Sequence, residues 1–430
     1  MAKKKKKVNL HAQQKLQTAH LKKLYMERLR KLCTLIGNGE PLFDLLPQHI
    51  LEAIYASRGI TIRIRVANNV KLTKRFVKIM YRHLENEMKE AFVSLMHPDG
   101  NTIINLIDYY QVAMPLEIIL MKDSTRFPGK EKFNDHCAMY KERFTDYFEK
   151  FINIVRTACV KYSEPDKRIL YTHKYGSRRE KNMMGGLMYQ IITLDIHLLD
   201  IRYVDIHNDR RPVIQVGEII YEGDDITFIP TTISTKWLYK NGSSKNRTFP
   251  VYIQQHAFKR TMQRVCLNKT SLVHALILLA FDIEDHSQLI REGNRFLVEC
   301  YCFHIKIGYF VGMLIDGMFV ILTFLLITHN STPEGRKLAQ LTGLQRDDMT
   351  FLAIDDLKTL VNSDIAKDPR IVEIFRDAGC ESILTMNNEL HTKGFYDWLW
   401  DDAKQDTELS KLIAEYIQLG DNDREYFENE

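Results

Sequence analysis

Apolar positions near the amino terminus of the chain follow a helical spacing. Between residues 10 and 36 they are mostly leucines, with lysine and arginine between them. This pattern predicts one long amphipathic helix, which Gly37-Asn38-Gly39 should end. The run from Ile60 to Val66 alternates apolar and polar residues, as a half-buried strand does. Further helices are predicted over 44–58, 71–96 and 130–162.

The middle of the chain changes from a helical to a strand-like pattern. Residues 163–186 are polar, basic and glycine-containing, which predicts an exposed loop and linker. Short apolar and β-branched runs then alternate with turn-forming pairs such as Asn208-Asp209 and Asn241-Gly242. This alternation predicts a small antiparallel sheet over 190–250. Its predicted strands are 191–204, 213–221, 226–233 and 237–239.

A long apolar run at 307–328 contains a single charged residue, Asp316. Its length is compatible with a helix that crosses a bilayer. However, Asp316-Gly317 is a strong hairpin signal, because both central positions of the favoured turn take positive φ, and a carboxylate in lipid is costly. We therefore predict a meander, with the membrane helix as the alternative. The three predicted strands are 295–305, 308–315 and 318–328.

The remainder of the chain is predicted to be helical. Ser331 and Glu334 have the spacing of a capping box around Pro333, which predicts a helix start. Residues 345–430 continue as helix with an acidic end. The predicted fold class is therefore α+β. Its predicted domains are a basic, mainly helical domain (1–162), a linker with a small β-rich region (163–250), a helix-plus-meander unit (251–345) and an acidic helical region (346–430).

Charge is distributed unevenly along this chain of net charge +5. Residues 1–90 hold about 20 lysines and arginines against about 7 acids, whereas residues 346–430 hold about 9 against about 21. A basic front end suits phosphate binding, because each bound cation releases counterions from a nucleic acid. The basic front end and acidic tail also predict self-association, within one molecule or between two. Solvated helix faces are the alternative interpretation.

Composition narrows the class of protein. With 45% hydrophobic and 27% charged residues, the chain lies in the ordinary globular range. Its seven cysteines are scattered and form no paired motif, which favours a reducing compartment, and we expect a cytoplasmic protein. The lysine run near the amino terminus is followed by polar residues, which does not fit a signal peptide.

One histidine and two arginines fall on a single face of the helix predicted after residue 251. His256, Arg260 and Arg264 are spaced four apart. Histidine can move protons near neutral pH, and the arginine fork matches phosphate oxygens. Thr328, His329 and Ser331, at the end of the last predicted strand, would close the site from the sheet side. This combination suits RNA cleavage without a metal, and a solvated helix face is the alternative.

The segment 254–332 resembles small toxin-type endoribonucleases of the barnase, EndoU, colicin and RelE-like group. The features that carry the resemblance are His256-x-x-x-Arg260-x-x-x-Arg264, two helical stretches and a meander that ends in Thr328. The resemblance implies that His256 is a general acid and base, that Arg260 and Arg264 bind phosphate, and that Thr328 is a contact from the strand end. It covers about 80 of the 430 residues.

Other basic side chains are candidates for contact with nucleic acid. Four lie in the helix predicted over 71–96, and two lie in the segment 171–179, where aromatic and cationic residues alternate. Such alternation suits base stacking beside phosphate contacts, and a plain exposed loop is the alternative. The predicted nucleic-acid-binding residues are Lys71, Lys74, Arg75, Lys78, Arg178 and Arg179.

These observations predict an RNA-binding protein with a candidate metal-independent endoribonuclease activity at 254–332. The alternative is a non-enzymatic nucleic-acid-binding or assembly protein, in which residues 1–90 bind phosphates and 254–332 is a scaffold. RNA is the expected partner, and a membrane partner is expected only if 307–328 is a helix. No cofactor and no metal site are predicted.

Overall fold

We describe the protein from a computed structural model. The described residues are 2–58, 61–94, 103–138, 140–182, 185–223, 225–239, 247–282, 289–302, 304–386, 411 and 413, and the side chains of 3–15 and 177–189 are among those left undescribed. The chain divides into two compact units, Met1–Val160 with Tyr171–Ile196, and Lys161–Leu170 with His197–Glu430. Helices and sheets both contribute, so the α+β prediction is confirmed. The finer four-part division stays a prediction.

The first unit is built mainly from helices. The helices begin and end as follows: α1 Ala2–Ile36, α2 Gln48–Ala56, α3 Lys74–Glu90, α4 Leu106–Asp108, α5 Met114–Leu120, α6 Asn134–Ala138 and α7 Tyr140–Tyr162. Its strands are β1 Thr61–Val66, β2 Phe92–Ser94, β3 Ile103–Asn105, β4 Ile169–Asn182 and β5 Gly185–Leu198. Helix α1 confirms the predicted helix and its end at Gly37, where an added Cβ would lie 2.6 Å from the Glu40 carbonyl oxygen.

The helix predicted over 71–96 is shorter than expected. It begins after Thr73, whose side chain accepts a hydrogen bond from the Phe76 amide, as an N-cap does. It ends at Glu90, because the chain then enters the β2–β3 pair. Helix α3 buries Met80, Leu84 and Met88 on one face, so its other faces carry the exposed basic residues.

The prediction of a loop over 163–186 is wrong. Most of this segment is strand β4, in a three-stranded sheet of order β1-β5-β4. Strand β1 pairs with β5 in parallel, from Thr61 opposite Tyr189 to Val66 opposite Leu194. The Tyr171 ring stacks on Phe76 with ring centroids 4.8 Å apart. Cross-strand pairing and this packing outweigh the polar local pattern.

The second unit is built around a large sheet. The strands are β6 Ile201–Ile206, β7 Asp209–Gln215, β8 Gly217–Glu222, β9 Asp225–Pro230, β10 Thr232–Ser234, β11 Thr248–Gln254, β12 Leu289–Glu292, β13 Arg295–Cys302, β14 Ile305–Ile315 and β15 Met318–Leu326. The helices are α8 Thr235–Leu238, α9 Gln255–Val265, α10 Thr270–Asp282, α11 Pro333–Thr342, α12 Arg346–Phe351, α13 Leu357–Asn362 and α14 Pro369–Ala378.

The sheet runs in the order β12-β13-β14-β15-β11-β7-β6, and β10 pairs with β11 beside this path. The predicted meander is confirmed as β13, β14 and β15. Strand β11 pairs in parallel with β15 and antiparallel with β7. The predicted separate sheet over 190–250 is therefore wrong in part: β6 and β7 belong to the large sheet, and only β8 and β9 pair as a ribbon of their own.

The turn between β14 and β15 confirms the hairpin prediction. Asp316 has φ 49° and Gly317 has φ 73°, the positive values that a two-residue hairpin turn needs. The alternative of a single helix over 307–328 is therefore wrong. Among the described residues no single helix is long and apolar enough to cross a membrane, and α9 with α10 reaches that threshold only as a pair bent by 95°.

Two local predictions are corrected by hydrogen bonding. The N-cap of α11 is Thr332, not Ser331, and its side chain accepts from the Gly335 amide. The reason is that Pro333, which lacks an N–H, occupies the first helical position, so the cap falls on the residue before it. The strand considered over 237–239 is the end of helix α8, which Ser234 caps through the Trp237 amide.

One hydrophobic core joins the sheet to the helices of the second unit. Phe258 from α9, Ile277 from α10 and Leu338 from α11 are fully buried in it with the sheet residue Phe319. The predicted carboxyl-terminal helical region is confirmed through α14, and the acidic end beyond residue 386 lies almost entirely outside the described residues. Through the shared core, helix α9 packs against β11 and β15.

Candidate functional site

Helix α9 presents the three predicted site residues along one face. It follows β11 without a loop, and Ala257, Phe258, Thr261 and Val265 are buried. The His256 and Arg260 side chains on the opposite face are exposed, and Arg264 is half-buried. The predicted spacing is therefore realised on a helix whose other face is fixed by the core.

His256 and Arg260 contact each other. Arg260 Nε lies 3.3 Å from His256 Nε2, so the imidazole accepts a hydrogen bond at that nitrogen. Burial lowers the pKa of His256 below its ordinary 6.5, and the nearby charges of Arg260, Arg211 and Lys259 lower it further. The ring is therefore neutral at pH 7, which suits accepting a proton rather than donating one.

Arg264 lies one turn further along α9 and turns toward the sheet. One of its terminal nitrogens donates to the Phe324 carbonyl oxygen. Burial lowers the pKa of this guanidinium, the Asp355 carboxylate opposes that effect, and Arg260 and Arg346 add to it. Arg264 thus lies among three charged groups, of which one is acidic.

Thr328 does not fit the role of substrate contact that was predicted for it. The residue is fully buried, and its hydroxyl donates to the Ile354 carbonyl oxygen at 2.6 Å. This hydrogen bond joins the turn after β15 to the loop before α13 and satisfies the buried Thr328 hydroxyl. Its neighbour His329, also considered from the sequence, is partly exposed.

His329 is surrounded by positive charge. Burial lowers the pKa of His329 to about 4, and the guanidinium groups of Arg264 and Arg346 contribute to the effect. Its Nδ1 accepts a hydrogen bond from the Ser331 amide at 3.1 Å. Arg346 and Asp355 were missed from the sequence, because neither belongs to a motif and only the fold brings them near α9.

A second basic site lies in the first unit, in a groove of about 370 Å³ between β1 and α3. Hereafter it is called the basic groove. None of its described lining residues is acidic, and four are lysine or arginine. The lining residues are Arg63, Ile64, Arg65, Lys74, Val77, Lys78 and Tyr81. A polyanion is the ligand class that such a lining attracts.

The secondary structure explains this convergence of charge. Arg63 and Arg65 lie two apart on β1 and so share a face of the strand, and Lys74 and Lys78 lie one turn apart on α3. Tyr81 lies about one turn further along and is partly buried, and burial raises its pKa above 10. The groove thus combines cations with one aromatic ring.

The predicted nucleic-acid contacts divide into three groups. Lys74 and Lys78 line the basic groove. Lys71 and Arg75 are exposed beside it but do not line it. Arg178 and Arg179 belong to β4, but their side chains lie outside the described residues. Arg63 and Arg65 also line the basic groove but were not among the predicted nucleic-acid contacts. The sequence signal that could have identified them is their alternation with apolar residues in the predicted strand 60–66.

Other clusters of reactive side chains fit catalysis less well. Cys159 Sγ lies 3.9 Å from His173 Nδ1, but burial raises the pKa of Cys159 to about 12 and lowers that of His173 to about 4. Both groups are therefore neutral at pH 7, and no thiolate forms. Within the described part of the chain, no group of three or more His, Cys, Asp and Glu residues could hold a metal ion.

A groove between α3 and α7 of about 380 Å³ contrasts with the basic groove. It is lined by both signs of charge, including Glu87, Asp146, Glu149 and Lys150. His83 Nδ1 lies 3.6 Å from the Glu87 carboxylate. This mixture of charges gives no preference for a polyanion.

The comparisons with known proteins add no family. The chain matches no protein-family model, no curated protein and no solved structure.

Proposed function

We propose that this protein binds RNA through the basic groove of its first unit. The observation that carries the proposal is the lining of that groove, where Arg63, Arg65, Lys74 and Lys78 converge without a described acidic neighbour in the lining. Each cation that neutralises a phosphate releases a counterion and so contributes to affinity.

The aromatic ring in the groove supports single-stranded RNA as the substrate class. Tyr81 lies beside Lys74 and Lys78 in the lining, and a ring next to cations stacks on an unpaired base while the backbone is held. The carboxylate of Glu85, whose charge acts on Tyr81, lies 3.2 Å from the Lys89 ammonium. The positive charge of Lys89 therefore offsets the negative charge of Glu85, which would otherwise repel phosphate.

Salt-dependent binding tests this proposal. The affinity of the full chain for a fluorescent single-stranded RNA is measured by anisotropy over a range of salt concentrations. A triple variant, Arg65→Gln, Lys74→Gln and Lys78→Gln, should bind more weakly and lower the slope of log K against log salt by about 2, because each lost phosphate contact on a single strand removes about 0.7.

The matched control removes three exposed cations of the same unit that lie outside the groove. These are Lys31→Gln, Lys122→Gln and Arg126→Gln. If the control and the groove variant lose affinity and slope equally, the attraction comes from net charge and the groove has no specific role.

We propose metal-independent endoribonuclease activity as a second function, supported by the exposed pair His256 and Arg260 on one helix face. When Arg260 turns to a phosphate, His256 Nε2 becomes free to accept the proton of the 2′-hydroxyl. The 2′-oxygen then bonds to phosphorus as the bond to the 5′-oxygen breaks, and that oxygen takes a proton from solvent.

Cleavage of a labelled RNA pool in EDTA, with the parent beside His256→Ala, tests the activity. Cleavage by the parent alone supports it. If both cleave, the activity does not come from His256. If neither cleaves while both retain RNA, the protein is a binding protein and the segment 254–332 is a scaffold. Because the pKa of His256 lies below 6.5, activity should persist to a lower pH than an ordinary histidine allows.

A further inference from the structure

The basic groove is small for the charge that lines it. Its volume of about 370 Å³ lies near the lower end of the range for small-molecule sites, roughly 300–1,000 Å³. A groove of this size accommodates one nucleotide rather than a run of several. Its four cationic side chains are those of Arg63, Arg65, Lys74 and Lys78. This positive charge exceeds what one internal nucleotide, with its single backbone charge, would neutralise.

Acidic side chains do not balance this charge within the described lining. Asp195 shares a face of the sheet with Arg65, because Arg65 pairs with Thr193 and side chains alternate along a strand. However, Asp195 does not line the groove, and its carboxylate accepts a hydrogen bond from the Ile196 amide at 2.8 Å. Glu85 on α3 also lies outside the lining. The positive charge of the groove is therefore left for a ligand to neutralise.

The start of α3 adds hydrogen-bond donors beside the cations. Helix α3 begins at Lys74, and its first two turns carry the lining residues Lys74, Val77 and Lys78. The first N–H groups of a helix have no acceptor within it and carry partial positive charge. The N-cap Thr73 accepts the N–H of Phe76. Phosphate oxygens in the groove would therefore lie near backbone N–H groups as well as cationic side chains.

We propose that the basic groove binds the 5′-triphosphate at the end of an RNA strand. Three linked phosphates bring about four negative charges into the space of one nucleotide, because the terminal phosphate alone carries about two. That charge matches the four cations of the lining, and the Tyr81 ring stacks on the first base. The inference rests on the proposed RNA binding and names the part of the strand that the groove holds. A free nucleoside triphosphate offers the same chemistry.

Anisotropy measurements on the full chain in EDTA test the inference. The probes are three single-stranded RNAs of one sequence, labelled at the 3′ end, with a 5′-triphosphate, a 5′-monophosphate or a 5′-hydroxyl. The triphosphate form should bind at least about tenfold more tightly than the hydroxyl form, as added charge-assisted hydrogen bonds do. Its slope of log K against log salt should be steeper by about 2, because more charges are neutralised.

Variants separate the phosphates from the base. The triple variant at Arg65, Lys74 and Lys78 should lose most of the preference for the triphosphate, and the matched control with cations removed outside the groove should keep it. Tyr81→Leu should weaken binding of the triphosphate RNA about tenfold through lost stacking. It should leave the affinity for inorganic triphosphate, measured by calorimetry, unchanged, because that probe has no base. Tyr81→Phe keeps the ring and should bind as the parent does.

The outcomes distinguish this inference from the proposed function. Equal affinity for the three RNAs, with loss of affinity in the triple variant, would overturn the triphosphate inference and leave RNA binding by the groove intact. If the triple variant binds every RNA as well as the parent does, both proposals fail. Competition with ATP identifies the source of the triphosphate. ATP that binds as tightly as the triphosphate RNA overturns the RNA end as the ligand, whereas weaker binding of ATP supports it.

Discussion

Replacing Lys306 with methionine should destabilise the second unit strongly. Its ammonium lies 2.9 Å from a Glu299 oxygen and 2.6 Å from a Glu334 oxygen, and it lies 3.2 Å from the Tyr309 hydroxyl. The side chains of Lys306, Glu299 and Glu334 are 19%, 8% and 12% exposed. One cation therefore neutralises two carboxylates that are mostly removed from water.

The magnitude follows from the charges left behind. Methionine keeps the apolar stem but leaves two carboxylates facing each other, and breaking a buried ion pair costs about 3–5 kcal/mol. Tyr309 still donates to Glu334 at 2.9 Å and Tyr301 to Glu299 at 2.6 Å, which favours the lower end of that range. For a unit of this size, each kcal/mol lowers the unfolding temperature by about 2–4 °C.

Calorimetric unfolding of the full chain measures the effect, with exchange of the β13, β14 and α11 amides to assign it to this region. The matched control is Lys337→Met, which replaces an exposed lysine on α11, the helix that carries Glu334. It should change the free energy of unfolding by less than about 0.5 kcal/mol. Adding Glu334→Gln to Lys306→Met should recover part of the loss. Equal effects of Lys306→Met and Lys337→Met, or a further loss in the double variant, would refute the reasoning.

The same ion pairs predict a pH dependence. The neighbouring carboxylates hold the pKa of Lys306 above its ordinary 10.5. A cation whose pKa is higher in the folded state contributes its full stability below the unfolded value and loses it as the pH rises through the folded value. The contribution of Lys306 should therefore be constant from pH 7 to 10 and decline only above 10.5.

Three further predictions concern the fold around the site. Thr332→Val removes the oxygen that accepts from Gly335 and donates to Ile327; it should cost about 1–3 kcal/mol in urea unfolding, with Thr332→Ser as the conservative control. Gly317→Ala places a methyl group at φ 73° with no atom within 4 Å, so it causes no clash. Backbone strain alone, of about 1–2 kcal/mol, should lower the unfolding temperature. Burial lowers the pKa of His274 to about 4, so the unfolded chain binds the extra proton and stability should fall from pH 6.5 toward 4; His274→Gln should flatten that dependence.

Much of the fold was predictable because local signals were strong. The end of α1 at Gly37, the alternation in β1 and the turn at Asp316-Gly317 each depend on residues close together in sequence. Strand β4 was not predictable in this way, because its local sequence is polar and its strand conformation depends on pairing with β5. The cap of α11 shifted by one residue for a local reason that was available in Pro333.

The candidate site was only partly predictable. The helix face with His256, Arg260 and Arg264 is a local pattern, and the fold realises it. Thr328 lies two residues beyond the end of β15, and nothing in the sequence shows that the Ile354 carbonyl oxygen would accept a hydrogen bond from its hydroxyl. Arg346 is 82 positions from Arg264 in the sequence, so their proximity depends on tertiary structure alone. Likewise, Arg63 and Arg65 join Lys74 only because β1 packs beside α3.

The position of β11 has a consequence for synthesis of the chain. Its partner β7 precedes it, but its parallel partner β15 ends 72 residues after Gln254. At about 5–20 residues per second, a ribosome needs about 4–14 s to make that stretch. During this time Val251 and Ile253, fully buried in the finished sheet, lie on a strand with one open edge. The nascent chain should therefore be prone to aggregation, and chaperone supply or slow expression at low temperature should decide its yield.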